Sequence, residues 1–291
     1  MKKLIWLLAA MLSLPVFAQE DEEMAQEGES SDVVDGIVAK QHIKNKKHME
    51  AAYVREANVL WSKTIWRMVD LREKQNLYLF YPTNTVDGRR SLIRVLIDNI
   101  NSGDLKAYSS ATDNEFEQEI TAKEVFEKLG VSDPDSIQST NPETGETEWK
   151  YVFDMSSVHV DEVMKFLVKE VWFFDKKYSR MECRIIGLCP IIEQMNEEGT
   201  RRDQKMTFWV YYPHAAQMLS EQEAFTFKND AQRESLYDKL QKREFGSYIF
   251  KESNVYNNRG INEYSQGMSQ NIEWENIQNA IFEKEHDMWE F

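Results

Sequence analysis

The spacing of apolar residues changes period several times along this chain. In GRRSLIRVLIDNINSGD, Leu92, Val95, Leu96 and Ile100 recur at helical spacing, and Gly103 is placed to end the helix. Residues 159–175, HVDEVMKFLVKEVWFFD, set Val160, Val163, Met164, Leu167 and Val171 on one face and predict another helix. DAQRESLYDKLQKREFG predicts a third, and Trp274, Ile277, Ile281 and Met288 predict a terminal helix docked by one stripe. VLWSKTIWRMVDLRE, LYLFYP, SRMECRIIGLCPII and KMTFWVYYP read as strands, joined by KQN and by EQMNEEGTRRDQ. Strands joined by short polar turns and followed by helices predict an α+β fold, with antiparallel strand hairpins covered by helices and a C-terminal helix.

The order strand hairpin then helix occurs twice. Lys63 to Arg67-Met68 matches Lys176 to Arg180-Met181 in spacing, Tyr81-Pro82 matches Tyr212-Pro213, and SLIRVL matches SLYDKL. This reads either as an internal duplication or as chance likeness between two amphipathic hairpins. A duplication equates Leu92 with Leu236 as core anchors. The halves run over residues 51–130 and 151–291, with an exposed connection at 131–150 that turns near Thr144-Gly145.

The first residues, MKKLIWLLAAMLSLPVFAQ, combine two lysines, an apolar run and small residues before a cleavage point between Ala18 and Gln19. That is the pattern of a cleaved export signal. The run is shorter than the roughly 20 apolar residues a membrane-crossing helix needs. No cysteine follows it to take a lipid. Residues 19–50 form an acidic, then basic, leader expected to be flexible. Loss of Lys2 and Lys3 takes the net charge from −15 to −17, which disfavours nucleic acid and anionic lipopolysaccharide as partners of the whole surface and is compatible with a basic protein partner.

In an exported chain two cysteines suggest a bridge. Cys183 and Cys189 sit six residues apart in a predicted strand, roughly 20 Å, whereas a disulfide needs Cα atoms within about 7 Å. Only a sharp bend at Gly187 would join them, so they read as buried free thiols. There is no second Cys/His pair for zinc, no Gly-x-Ser-x-Gly elbow and no Gly-rich phosphate loop. His286 beside Asp287, His159 before Asp161-Glu162, and His214 after Tyr212-Pro213 read as helix-end or turn residues. DPDSIQSTNPE lacks the order of a calcium loop. No catalytic residue, metal ligand or cofactor site is expected. The aromatic strips LWSKTIW, VWFFDKKY and FWVYYP suit core and protein contacts; the alternatives are a glycan-binding or hydrolytic groove and a soluble chaperone.

LWSKTIWRMVDLREKQN, EVWFFDKKYSRMECRIIGLCPI, NDAQRESLYDKLQKREFGSYIFKESNVY and IFEKEHDMW together resemble the PorN/GldN family from about Tyr53 to Trp289. The resemblance implies a non-enzymatic periplasmic subunit of the type IX protein secretion and gliding machinery. It implies a ring built with a PorK/GldK-like lipoprotein beneath the outer membrane, self-association in that ring, and contact with the periplasmic domain of a PorM/GldM-like motor protein. Membrane contact is then made only through the lipoprotein. The matching stretches and their surroundings supply interface or framework candidates: Trp61, Trp66, Arg67, Arg72, Trp172, Phe174, Arg184, Arg233, Tyr248 and Trp289.

Overall fold

The computed structural model describes residues 45–111, 115–130, 135–140, 147–152, 160–195, 202–227, 229 and 231–289, with backbone only at 135–140, 147–152, 194–195, 202–203 and 289. The export signal, its cleavage point at Ala18 and Gln19, the acidic leader, His159 and the turn near Thr144 lie outside the described residues.

In chain order the elements are β1 (Val59–Asp70), α1 (Leu77–Phe80), α2 (Leu92–Ser102), β2 (Ala107–Ser109), β3 (Glu119–Ile120), α3 (Ala122–Lys128), β4 (Asp135–Thr140) and β5 (Thr147–Val152). They continue with β6 (Val163–Asp175), β7 (Arg180–Met195), β8 (Arg202–Met206), β9 (Phe208–Tyr211), α4 (Tyr212–Ser220) and β10 (Glu223–Ala224). The last are β11 (Glu234–Ser235), α5 (Leu236–Gln241), β12 (Tyr248–Glu252), α6 (Ile261–Tyr264) and α7 (Met268–Trp289). Eight strands form one antiparallel sheet in the order β12-β1-β6-β7-β9-β2-β3, with β8 paired to β7. The fold is α+β, as the sequence predicts.

The main core lies between the sheet and the helices, where Leu92, Ile93, Leu96 and Ile97 of α2 meet Phe166, Val168, Leu188 and Val210 of the strands. A second cluster, with Trp66, Met68, Leu167, Cys189, Ile191 and Trp209, lies apart from it. In a third, the predicted stripe of α7 packs Ile277, Ile281 and Trp274 against Ile65, Ile249 and Ile261, with Trp61 and Trp172 at its margin. Burial of such side chains, at roughly 25 cal/mol per Å² of apolar surface, is what holds α7 to the sheet.

Several elements differ from the expectation. Residues 163–175, expected to be helical, form β6, paired along its length with β1 and β7. As a central strand it buries residues on both faces, so its apolar run loses the alternation that marks a strand. The β-branched and aromatic residues Val168, Val171, Trp172, Phe173 and Phe174 fit a pleated surface. LYLFYP starts with the single turn α1 instead of a strand. There the amide of buried Asn76 donates to Asp70 O (2.7 Å) and Gly246 O (2.9 Å) and accepts from Gly246 N (2.8 Å), turning the chain out of the sheet. YYPHAAQMLS, read in part as strand, forms α4, with Pro213 in the first turn where its missing N–H costs nothing. The connection at 131–150 carries much of the hairpin β4–β5. Residues 46–50, grouped with the leader by composition, are held against α4 and α5.

The duplication fails in its proposed register. Lys63 to Met68 lies inside β1, whereas Lys176 is in the β6–β7 turn and Arg180 starts β7. A different likeness holds. From β1 the chain runs through α1 and α2 to β2, and from β9 through α4 and α5 to β12. Each closing strand pairs with the other unit's first strand, so β12-β1-β6 mirrors β2-β9-β7 in the sheet order. Ser91 and Ser235 occupy the N-cap positions of α2 and α5, and Leu92 and Leu236 follow them, 1% and 0% exposed.

Candidate functional site

Glu170, in the middle of β6, is a fully buried carboxylate with polar contacts from four side chains. Its Oε2 accepts from Arg67 Nε at 3.2 Å and from Trp172 Nε1 at 3.1 Å, with Cys183 Sγ at 3.6 Å. Its Oε1 accepts from Arg243 Nη1 at 2.7 Å, and the same nitrogen lies 3.0 Å from Cys183 Sγ. Glu170 is 0% exposed and Arg67 6%. The carboxylate therefore joins β1, β6, β7 and the segment after α5. The Arg243 guanidinium also lies 5.1 Å above the Trp172 ring and 5.6 Å from that of Phe245. Arg243 adopts the left-handed conformation, φ 56°, at the end of α5. That costs a residue with a Cβ roughly 1–2 kcal/mol, and here it aims the side chain at Glu170.

Both cysteines are free thiols, as the sequence predicts; Cys189 is buried as expected, whereas Cys183 is only partly buried. Six residues along an even strand would put them on one face. Here Lys169 pairs with Gly187 and Glu170 with Ile185, so Ile186 is an extra residue that switches the faces. Cys183 consequently meets Glu170, while Cys189 belongs to the cluster with Trp66 and Trp209. Gly187 stands beside this bulge because a Cβ there would come within 2.5 Å of the Phe116 ring. Burial pushes both thiols well above the ordinary range; at Cys183 the Glu170 carboxylate adds to this and Arg243 opposes it. Both are thereby held in the protonated, weakly reactive form. A thiol reagent is expected to modify two cysteines after denaturation and to react slowly with the folded protein; absence of free thiols on denaturation would contradict the strand geometry.

A second polar cluster fixes the strap that enters the fold. Ser220 Oγ and Gln217 Nε2 of α4 donate to Lys46 O at 2.9 and 3.2 Å, Tyr237 Oη donates to Met49 O at 2.8 Å, and Lys46 pairs with Asp238. Arg184 Nη2 donates to Ala52 O at 2.8 Å while its guanidinium lies 5.1 Å above Phe173. Between strap and β7 lie two cavities of about 350 and 540 Å³, bordered by Tyr237, Gln241 and Arg184.

Just beyond, Lys239 and Lys242 bind Glu234 and hold its carboxyl at about 2 against an ordinary value of 4.5, the Lys239 hydrogen bond contributing most. A carboxyl depressed in the folded state adds stability above its unfolded value and loses it as the pH falls through its folded value. Stability is therefore expected to decline between about pH 4.5 and pH 2, and Glu234→Gln should flatten that part of the acid denaturation curve. An unchanged curve would show that this pairing is not made.

The remaining candidates divide by position. Trp66 is buried, donates from Nε1 to Glu115 at 2.8 Å, and has the ammonium groups of Lys169 and Lys251 at 5.2 and 4.6 Å. Phe174 is buried in β6, and Tyr248 is half-buried against the Trp66 cluster. Arg72 is exposed and bonded to Asp70, with Glu193 at 3.4 Å. Arg233 is half-buried beside Glu234. The Trp289 side chain lies outside the described residues. Most members of the aromatic strips are thus core or core margin rather than a groove wall. The sequence reading missed Arg243 and Glu170; the one signal for Glu170 was a charge pair, Lys169-Glu170, in an apolar strand. Among the described residues no group of His, Cys, Asp and Glu is placed to hold a metal ion, and no helix is long and apolar enough to cross a membrane.

The family model described as gliding motility associated protein GldN matches residues 54–290. The chain belongs to the GldN family. It is thereby associated with gliding motility and type IX secretion, in a family of structural components of that machinery. The GldN match begins within the strap, which carries Tyr53 into β1, and runs through the helix α7. Among curated proteins none matches the chain.

Proposed function

We propose that this chain is a non-enzymatic structural subunit of the type IX secretion and gliding machinery. It is exported by its N-terminal signal and held at the inner face of the outer membrane by a PorK/GldK-like lipoprotein. With that lipoprotein it forms a periplasmic ring, and it contacts the PorM/GldM-like motor protein. The observation that carries this reading is the GldN match over residues 54–290, nearly all of the described fold. The internal neutralisation of Glu170 by Arg67 and Arg243 supports it, since those groups serve the framework.

Isolation of the tagged protein from detergent-solubilised outer membranes tests the reading. Co-purification of the lipoprotein in stable proportion is the expected result. A protein that leaves the membrane fraction alone, and whose tryptophan fluorescence is quenched by a glycan, would replace this reading with the glycan-binding one.

A further inference from the structure

We propose that two copies of this chain associate by seating the loop 253–260 of one copy in a cationic, tyrosine-walled dent at the β6–β7 turn of the other. This deepens the reading of the chain as a repeated subunit, and rests on it, by naming the surfaces that meet.

The dent, about 430 Å³, is lined by Tyr53, Arg55, Asn58, Asp175, Lys177 and Tyr178. Tyr53 is 88% exposed and Tyr178 53%, and both line this one dent, so they form a shared aromatic wall rather than scattered exposed rings. The wall is built, not loose. Lys176 N donates to Asn58 O at 2.8 Å and Lys177 N to Asp175 Oδ1 at 2.8 Å. The Lys177 ammonium and Arg180 guanidinium lie 4.7 and 5.2 Å from the Tyr178 ring. Arg180 is bonded to Glu182, and Glu56 is the nearest acid in sequence on the strap. Asp175 is the one acid in the lining, against Arg55 and Lys177, and Arg55 and Lys176 have no carboxylate partner among the described residues, so the dent carries a net positive charge.

The other surface has the opposite character. The loop projects Val255, 91% exposed, and Tyr256, 64% exposed. Its shape is fixed by Asn254, whose N donates to Asn258 Oδ1 at 3.0 Å, while its Oδ1 accepts from Tyr256 N at 3.0 Å and its Nδ2 donates to Arg259 O at 3.1 Å. Asn257 and Asn258, both left-handed, make the turn. Arg259 lies between Tyr256 and Tyr264 at 4.6 and 4.7 Å, and Tyr264 Oη donates to Glu273 Oε1 at 3.1 Å. The rim carries Glu252, Glu263 and Glu273; Lys63 holds Glu252, and Arg259 is the one cation of the stretch 252–275. A rigid apolar tip with an acidic rim is the complement of a dent with cationic tyrosine walls. Because the whole chain is acidic, net −15, this cationic dent is the kind of local feature that lets like-charged copies meet.

The test is a charge exchange in the full-length mature protein, followed by sedimentation. Lys176→Glu/Lys177→Glu and, separately, Glu273→Lys are each expected to weaken self-association at least about tenfold, and high salt to weaken that of the unaltered protein. Mixing the two variants is expected to restore association, because each then meets an opposite charge. A Tyr178→Cys variant mixed with a Val255→Cys variant is expected to give an inter-copy disulfide on oxidation, with circular dichroism verifying the fold. An unaltered protein that stays monomeric, variants that associate normally, or mixtures that neither recover nor cross-link would overturn the proposal. Retention of the charge-exchanged variants by the outer-membrane lipoprotein would in that case leave the subunit reading standing, whereas loss of the unaltered protein from that fraction would remove the reading itself.

Discussion

Replacing Glu170 by Ala is expected to cost the fold about 3–5 kcal/mol, the range for removing one partner of a buried ion pair. The substitution leaves Arg67, 6% exposed, without its carboxylate. It also releases Arg243, whose left-handed backbone is then held for no contact. Against a stability of about 5–15 kcal/mol for a domain, the loss should appear as a large fall in the urea midpoint. Joint replacement of Arg67, Glu170 and Arg243 by apolar residues of similar size should cost much less, because no buried charge remains. That contrast separates an effect of unpaired charge from one of lost packing. A Glu170→Ala protein with an unchanged midpoint would mean that the carboxylate is not enclosed by the two guanidiniums.

Leu92→Ala and Leu236→Ala are each expected to cost about 2–5 kcal/mol, through lost burial and the cavity left behind. Both leucines begin a covering helix behind a serine and are fully buried in the same core. The surroundings differ in one respect. Ser235 and Asp238 form a reciprocal capping box, whereas Ser91 Oγ is buried without a hydrogen-bond partner. Ser235→Ala is therefore expected to destabilise by about 0.5–2 kcal/mol and Ser91→Ala by less. Thermal unfolding of the four variants checks both points. Equal tolerance of Ala at Leu92 and Leu236 would contradict their place in the core.

The parts of the fold legible in the sequence are those with one buried face. Helix α2 shows its stripe because its outer face is wet, and α7 likewise shows Trp274, Ile277 and Ile281. Strand β6 was not legible, since burial on both sides removes the period that distinguishes strand from helix. Helix α4 was hidden because Tyr212 and Pro213 continue the aromatic run of β9, and the break to helix depends on tertiary packing around Ala215, Ala216 and Leu219. The free thiols were predicted from distance along a strand, yet the bulge at Ile186, which puts them on opposite faces, has no local sequence signal beyond Gly187. The buried cluster was legible only in pieces. Arg67 and Trp172 stood out as residue types, but their common partner Glu170, and Arg243 from 73 residues further along the chain, come together only through the sheet order.

The central claim, that this chain is a scaffold subunit held at the membrane by a lipidated partner, is tested most directly by fractionating cells that lack the PorK/GldK-like lipoprotein. The account predicts that the protein leaves the outer-membrane fraction and appears in the soluble periplasmic fraction, or falls in abundance. Undiminished protein remaining in the outer-membrane fraction would contradict it.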